Sequence, residues 1–398
     1  MKPLKIPHPA PQLAGSAPER ILAPCVEEIL PQLCPKLQAW PRTAEMVRYC
    51  FHVVLTHADK DDGLAAVNAR TFCRVTGRRH GHAILNQLVD LGYLASDGKY
   101  CAGKFSKHFK LGVRAKGLPL LHHDAAPDIS RRLRQLRTNK VTEALGLSPE
   151  AQVVFTDLSR FSLELDQSVE AILAWCRAER PRSEPFYRLA IDQLARGHHF
   201  LVRCVTGRLF HNLASMPKKL RPLLKVDGAP CAEVDIAAAQ PTLLISFYPA
   251  PSMERTRYAD MIQTGCYEYL IREIALMTGE RLSRDTVKQQ WLKEVFGLDW
   301  QRRQVWAILT RDFPLLCRVM DEMRADDYCE TAHRLQRLEA NLVIGQMVPR
   351  IKQVMGNVGI STVHDSLLCP RLLAESVAVI MREVLVEALG VEPLLRIT

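Results

Sequence analysis

No apolar run in this chain approaches the roughly 18 residues that a membrane-spanning helix requires. The N-terminus is punctuated by proline and lacks the apolar core of a signal peptide, so a soluble, cytoplasmic protein with no membrane partner is expected. There is no C-x-x-C pair. The 12 cysteines are scattered singly, which predicts reduced thiols rather than a disulfide framework. The His pairs at 122–123 and 198–199 have no cysteines at ligand spacing, which argues against structural zinc. Low-complexity tracts and internal repeats are absent as well.

What remains is an ordinary globular composition, 47% hydrophobic and 24% charged, with room in 398 residues for two or three domains. A net charge of +10 and a pI near 9.1 suit a polyanionic partner.

Residues 1–43 read as a Pro-rich irregular arm with short helices. Helices are expected at Ala44–Thr56, Asn68–Thr76 and His80–Leu91, then strand-like Tyr93–Leu94 and Lys107–Val113 around a Gly98/Gly103 turn. Three helices before a basic hairpin suggest a winged helix over 44–116. Arg78, Arg79, Lys99, Lys104, Lys107 and Lys110 would then face a phosphate backbone. The alternative is a small helical domain with a solvated basic surface.

Residues 117–129 read as a linker, and 130–200 as mostly helical. Arg131, Arg132 and Arg134 form the basic side of an amphipathic helix suited to gripping a nucleic-acid backbone. From 201 the texture becomes α/β. Strands are expected at Leu201–Val205 and Cys231–Ile236, a helix at Pro241–Tyr248, a mainly helical stretch over 254–355, and a hairpin at Ile360–Cys369. A helix at Ala374–Leu389 and a strand at Leu394–Ile397 follow. Strands on both sides of a helical insertion imply one sheet with a helical subdomain set into it.

Asp235 lies at the end of an apolar strand, and Asp365 at the tip of a turn. Each alone reads as an ordinary turn residue. Between them, Arg284, Lys288, Leu292 and Phe296 recur every four residues and form one slowly drifting stripe on a helix. Arg and Lys one turn apart suit a triphosphate, while Leu292 and Phe296 suit base and sugar. Two carboxylates brought together would bridge a pair of Mg²⁺ ions for phosphoryl transfer.

This ordered set resembles the family A polymerases, the superfamily of bacterial DNA polymerase I and the single-subunit phage and mitochondrial RNA polymerases. Asp235 falls at the motif A aspartate. Arg284-x3-Lys288-x7-Phe296-Gly297 reproduces the motif B pattern, and His364-Asp365-Ser366 is similar to motif C. Thr206-Gly207-Arg208-Leu209 resembles the segment whose Arg contacts the primer-template duplex. The match covers roughly residues 200–398.

The resemblance implies an α+β polymerase right hand: a palm over 201–398, fingers inserted at about 254–350, and a thumb-like region over 130–200. It implies catalytic Asp235, Asp365 and Lys288, with two Mg²⁺ ions (Mn²⁺ can substitute) on the two aspartates. Arg284, Lys288, Leu292, Phe296, Gly297 and Gln240 would bind the nucleotide. Thr206, Arg208 and His364 would meet the primer-template. Gln240 stands where DNA polymerases carry a Glu that crowds a ribose, and Phe296 has no hydroxyl for a 2′-OH. Both favour deoxynucleotides, whereas His-Asp-Ser favours RNA polymerases. The expectation is a DNA polymerase acting on DNA, or alternatively RNA, without a proofreading exonuclease, in a phage, plasmid or mobile element. A single-subunit RNA polymerase or primase-like enzyme, and an inactive DNA-binding replication initiator, stand as alternatives.

Overall fold

The computed structural model describes residues 17–58, 63–98, 106–249 and 251–398, with backbone alone at 78, 79 and 147. Lys99 and Lys104 lie outside the described residues, as do the side chains of Arg78 and Arg79. The chain divides into two compact units: Met1–Glu143 with Leu163–Phe200, and Ala144–Ser162 with Leu201–Thr398. No helix among the described residues is long and apolar enough to cross a membrane. Every cysteine among them is a free thiol.

In the first unit, Arg20–Pro24 pairs antiparallel with Leu120–Asp124. Ile21, Leu22 and Ala23 are fully buried, packed with the helix Thr43–Thr56 through Met46, Val47, Cys50 and Phe51. Burying each large side chain contributes about 1.5–3 kcal/mol. This corrects two expectations, because the arm over 1–43 and the linker over 117–129 each contribute a strand. Their sequence cue is weak: both runs are short, Pro24 ends one, and the His pair breaks alternation in the other.

The remaining elements follow the expected positions. The helices Ala69–Thr76 and Arg78–Asp90 precede strands Leu94–Ser96 and Lys107–Leu111. A strand that sequence reading missed, Ala65–Val67, joins them in a three-stranded antiparallel sheet with Lys107–Leu111 in the middle. Asn68 caps the first helix by accepting from the Thr71 amide at 3.0 Å. Gly77 separates the two helices at φ 80°, a conformation that favours glycine.

The second unit is built on the strand Ala229–Ile236. It pairs antiparallel with Ser366–Pro370, Leu395–Ile397 and Lys225–Val226, and Ser361–Val363 extends the sheet beyond Ser366–Pro370. Ala232, Val234 and Ile236 are buried, while Glu233 and Asp235 alternate onto a half-buried face. The helix Ala374–Leu389 covers the sheet with Val377, Met381 and Val384. Between Ile236 and Ser361 the elements of the described residues are all helices, and the segment Asn341–Met347 winds as a π-helix. The hairpin Leu201–Arg203 and Leu209–His211 stands as a separate two-stranded sheet.

A buried polar anchor fixes the approach to the Ser361–Val363 strand. Asp157, 4% exposed, accepts from Lys352 Nζ at 2.6 Å and from the Ile360 amide at 2.9 Å. Arg160 adds a two-pronged grip on Asp227 at 2.8 and 2.6 Å and reaches Asn357 Oδ1 at 2.8 Å.

Candidate functional site

Asp235, on the strand Ala229–Ile236, and Asp365, in the turn that opens the neighbouring strand Ser366–Pro370, are far apart in sequence and close in the fold. Asp235 is directly opposite Ser366, and the Ile236 amide donates to the Asp365 carbonyl at 3.4 Å. Asp365 occupies the turn between Ser361–Val363 and Ser366–Pro370, where His364 takes φ 57°. A left-handed non-glycine residue costs on the order of 1–3 kcal/mol, so the surroundings must hold the turn. The His364 ring meets Phe210 edge-on, with centroids 5.4 Å apart. Its Nδ1 is buried without a hydrogen-bond partner among the described residues. Burial first, then the charges of Arg208 and Arg221, hold the His364 imidazole below its ordinary range.

Burial pushes the Asp235 carboxyl up to about 6. The charges of Asp365 and Glu233 push the same way, while Arg396 and Lys288 oppose. Asp365 is likewise raised, by burial first, with Arg208 and Lys288 opposing and Glu233 adding to the rise. Two desolvated carboxylates that repel each other mark a place where an added cation is favourable. Among the described residues no group of three or more His, Cys, Asp or Glu is arranged to hold a metal. Mg²⁺ does not require such a cage, because it retains waters and takes substrate phosphates alongside one or two carboxylates. The residues present fit that ion.

The helix Arg284–Phe296 starts at Ser283, whose side chain accepts from the Thr286 amide at 3.1 Å. Val287, Trp291, Glu294 and Val295 are buried, while Arg284, Leu292 and Phe296 are half-buried and Lys288 is exposed at the edge of that face. Lys288 has no ion pair among the described residues, yet its charge acts on both aspartates. Arg284 lies 5.0 Å over the Tyr267 ring and 3.1 Å from Glu268. Tyr267 in turn feels the charges of both Arg284 and Asp365.

The far end of that helix is fixed by Arg324, 7% exposed, which donates to the Val295 carbonyl at 2.6 Å and to the Gly297 carbonyl. A Cβ at Gly297 would overlap the Lys293 carbonyl, which accounts for the glycine after Phe296. Gln240 is half-buried in the first turn of the helix Ala239–Leu244.

The Thr206-Gly207-Arg208 turn docks on the helix Glu330–Ala340. Thr206 Oγ1 donates to Gln336 Oε1 at 3.1 Å, and Gly207 has φ 89° with Ala340 close by. Arg208 forks onto Glu339 at 2.7 and 2.6 Å. It therefore already has a protein partner, while its charge reaches Asp365.

The basic residues of the first unit are not equivalent. Lys107 and Arg131 are exposed. Arg132 donates to the Val75 carbonyl at 2.5 Å and Arg134 to the Ala17 carbonyl at 3.4 Å, so both contribute to holding their own unit together.

Sequence reading missed Glu233, Tyr267, Arg324 and Glu339. Only Glu233 carried a usable signal, two positions before Asp235 on a strand.

No family model matches the chain, and no curated protein matches it. Among solved structures, the POL domain of Pol1 from M. smegmatis, in complex with DNA primer-template and dNTP, is similar at 14% identity and a TM-score of 0.40. The alignment covers 67% of this chain and 65% of that one, so the chain spans somewhat less than two thirds of that neighbour's length.

Proposed function

We propose that the protein is a template-directed nucleotidyltransferase, a DNA polymerase that extends a primer with deoxynucleoside triphosphates. The observation that carries this reading is the meeting of Asp235, on its strand, with Asp365 in the turn beside the paired strand, with the charge of Lys288 acting on both. Asp235 and Asp365 would hold Mg²⁺, or Mn²⁺ in its place. When bound, the ions supply charge neutralisation for the triphosphate and an acidified primer hydroxyl.

The protein's own part is positioning. Exposed Lys288, with Arg284 one turn before it, binds the phosphates. Leu292 and Phe296 offer apolar surface to base and sugar, and Gln240 crowds the 2′ position. His364 bears on the primer end. Arg208 keeps Glu339 paired beside Asp365 and contacts a duplex from there. The right-hand arrangement of palm, fingers and thumb belongs to this reading. So does a winged-helix role for the first unit, whose exposed Lys107 and Lys110 suit a phosphate backbone.

The deciding experiment gives purified protein with Mg²⁺ primed and unprimed DNA and RNA templates, with dNTPs or NTPs, beside Asp365→Asn. Extension of primed DNA with dNTPs is expected, with loss in the variant. Extension from NTPs without a primer would select the RNA polymerase or primase-like alternative. No extension on any template would leave a DNA-binding replication initiator. Undiminished activity in Asp365→Asn would show the metal site to be elsewhere.

A further inference from the structure

We propose that Glu233 is a third acidic member of the cation site, holding the water shell of the bound divalent ion rather than the ion itself. The inference rests on the reading of Asp235 and Asp365 as the ion's ligands.

Strand alternation puts Glu233 on the same face of Ala229–Ile236 as Asp235, with buried Val234 between them on the opposite face. Ser366, opposite Asp235 and adjacent in sequence to Asp365, donates its hydroxyl diagonally to Glu233 Oε1 at 2.7 Å. Arg221 Nη1 stands 3.4 Å from the same oxygen. The carboxylate is thus fixed through Oε1, while Oε2 accepts no hydrogen bond among the described residues. With 18% of the side chain exposed, Glu233 stays within reach of water.

Ser366 and Arg221 hold the Glu233 carboxylate by Oε1, two positions along the strand from Asp235, which leaves Oε2 for the ion's water. Mg²⁺ sheds water reluctantly, so a fixed carboxylate beside its two ligands meets the ion through that water. Ser366 then acts twice, orienting Glu233 through its hydroxyl and tying the two aspartate strands together.

The test is Mn²⁺ binding to the full chain, counted by electron paramagnetic resonance, for wild type and for Glu233→Gln, Glu233→Asp, Ser366→Ala and Asp365→Asn. Gln keeps an oxygen for the Ser366 hydroxyl and removes the charge, so Glu233→Gln should weaken Mn²⁺ binding about tenfold. The Mg²⁺ concentration for half-maximal extension should rise in parallel, with the KM for dNTP unchanged. Glu233→Asp keeps the charge and should retain most of the affinity, and it carries the same test should the Gln variant not fold. Ser366→Ala frees the carboxylate from its charge-assisted tether but leaves its charge in place, and should lose roughly two- to threefold, less than the Gln variant. Wild-type affinity in Glu233→Gln, or equal losses in the Asp and Gln variants, would overturn the proposal. Should Asp365→Asn also bind Mn²⁺ as wild type does, the proposed function falls with it; loss in Asp365→Asn without loss in Glu233→Gln removes this inference alone.

Discussion

Arg208 grips Glu339 with both prongs of its guanidinium, and Glu339 is only 2% exposed. The pair fastens the Thr206–Arg208 turn to a helix beside Asp365, so a residue expected to serve nucleic acid also holds the site's wall. Removing one partner of a buried pair strands the other charge. Arg208→Ala should therefore destabilise the protein by about 3–5 kcal/mol. A joint Arg208→Met, Glu339→Leu replacement should recover at least half of that loss. Urea unfolding of the three proteins checks both statements, and a near-neutral single variant would mean that the pair is not formed.

Lys288 should behave in the opposite way. It is exposed and has no ion pair among the described residues, so Lys288→Met should leave unfolding within about 0.5 kcal/mol of wild type. On the proposed role of Lys288 in binding phosphates, losing its charge should lower primer extension by about 10²–10³-fold. Full activity in a folded Lys288→Met protein would remove the helix from the nucleotide site.

Product sugar choice should respond to Gln240. If its half-buried side chain crowds the 2′ position, Gln240→Ala should raise ribonucleotide incorporation relative to deoxyribonucleotide by roughly 10–200-fold. Competition between dNTP and rNTP on one primed template measures the ratio, and an unchanged ratio would clear Gln240 of that role.

Acid should loosen the first unit through His52. Its Nδ1 accepts from the Leu22 amide at 3.1 Å, and burial above all pushes the imidazole down to about 4. Because the folded form holds the neutral ring, the unfolded chain takes up the proton first, near pH 6.5. The stabilisation is fully present above pH 6.5 and is lost as pH falls towards 4, by about 3 kcal/mol. Amide exchange at Leu22 against pH should show that slope, and His52→Asn should flatten it.

The helix Arg284–Phe296 is legible in the sequence because its information is local: a capping Ser283 and a stripe repeating every turn. The hairpin around Asp365 is legible for the same reason. The pairing of Arg20–Pro24 with Leu120–Asp124 is not, since neither run names a partner so distant in the chain. Arg208 stands out as a site residue, but its bond to Glu339 is invisible in the sequence: a through-space ion pair leaves no spacing to read. Ser366 is legible as the residue after Asp365, but its hydrogen bond to Glu233, which gives it a structural use, is not. The grouping of residues 163–200 with the N-terminal unit likewise depends on packing that composition does not record.

The opposition of Asp235 and Ser366 makes the site conditional on alignment. Sliding Ser366–Pro370 by one position would turn its side chains over, sending Ser366 into the apolar layer and stranding Glu233 without its tether. Because Ser366, Leu367, Leu368 and Cys369 are all buried, a slipped strand would also have to repack both of its faces. The forces that fold this sheet therefore act as quality control on its chemistry: a chain that has buried its core correctly has, by the same step, brought its acids to one place.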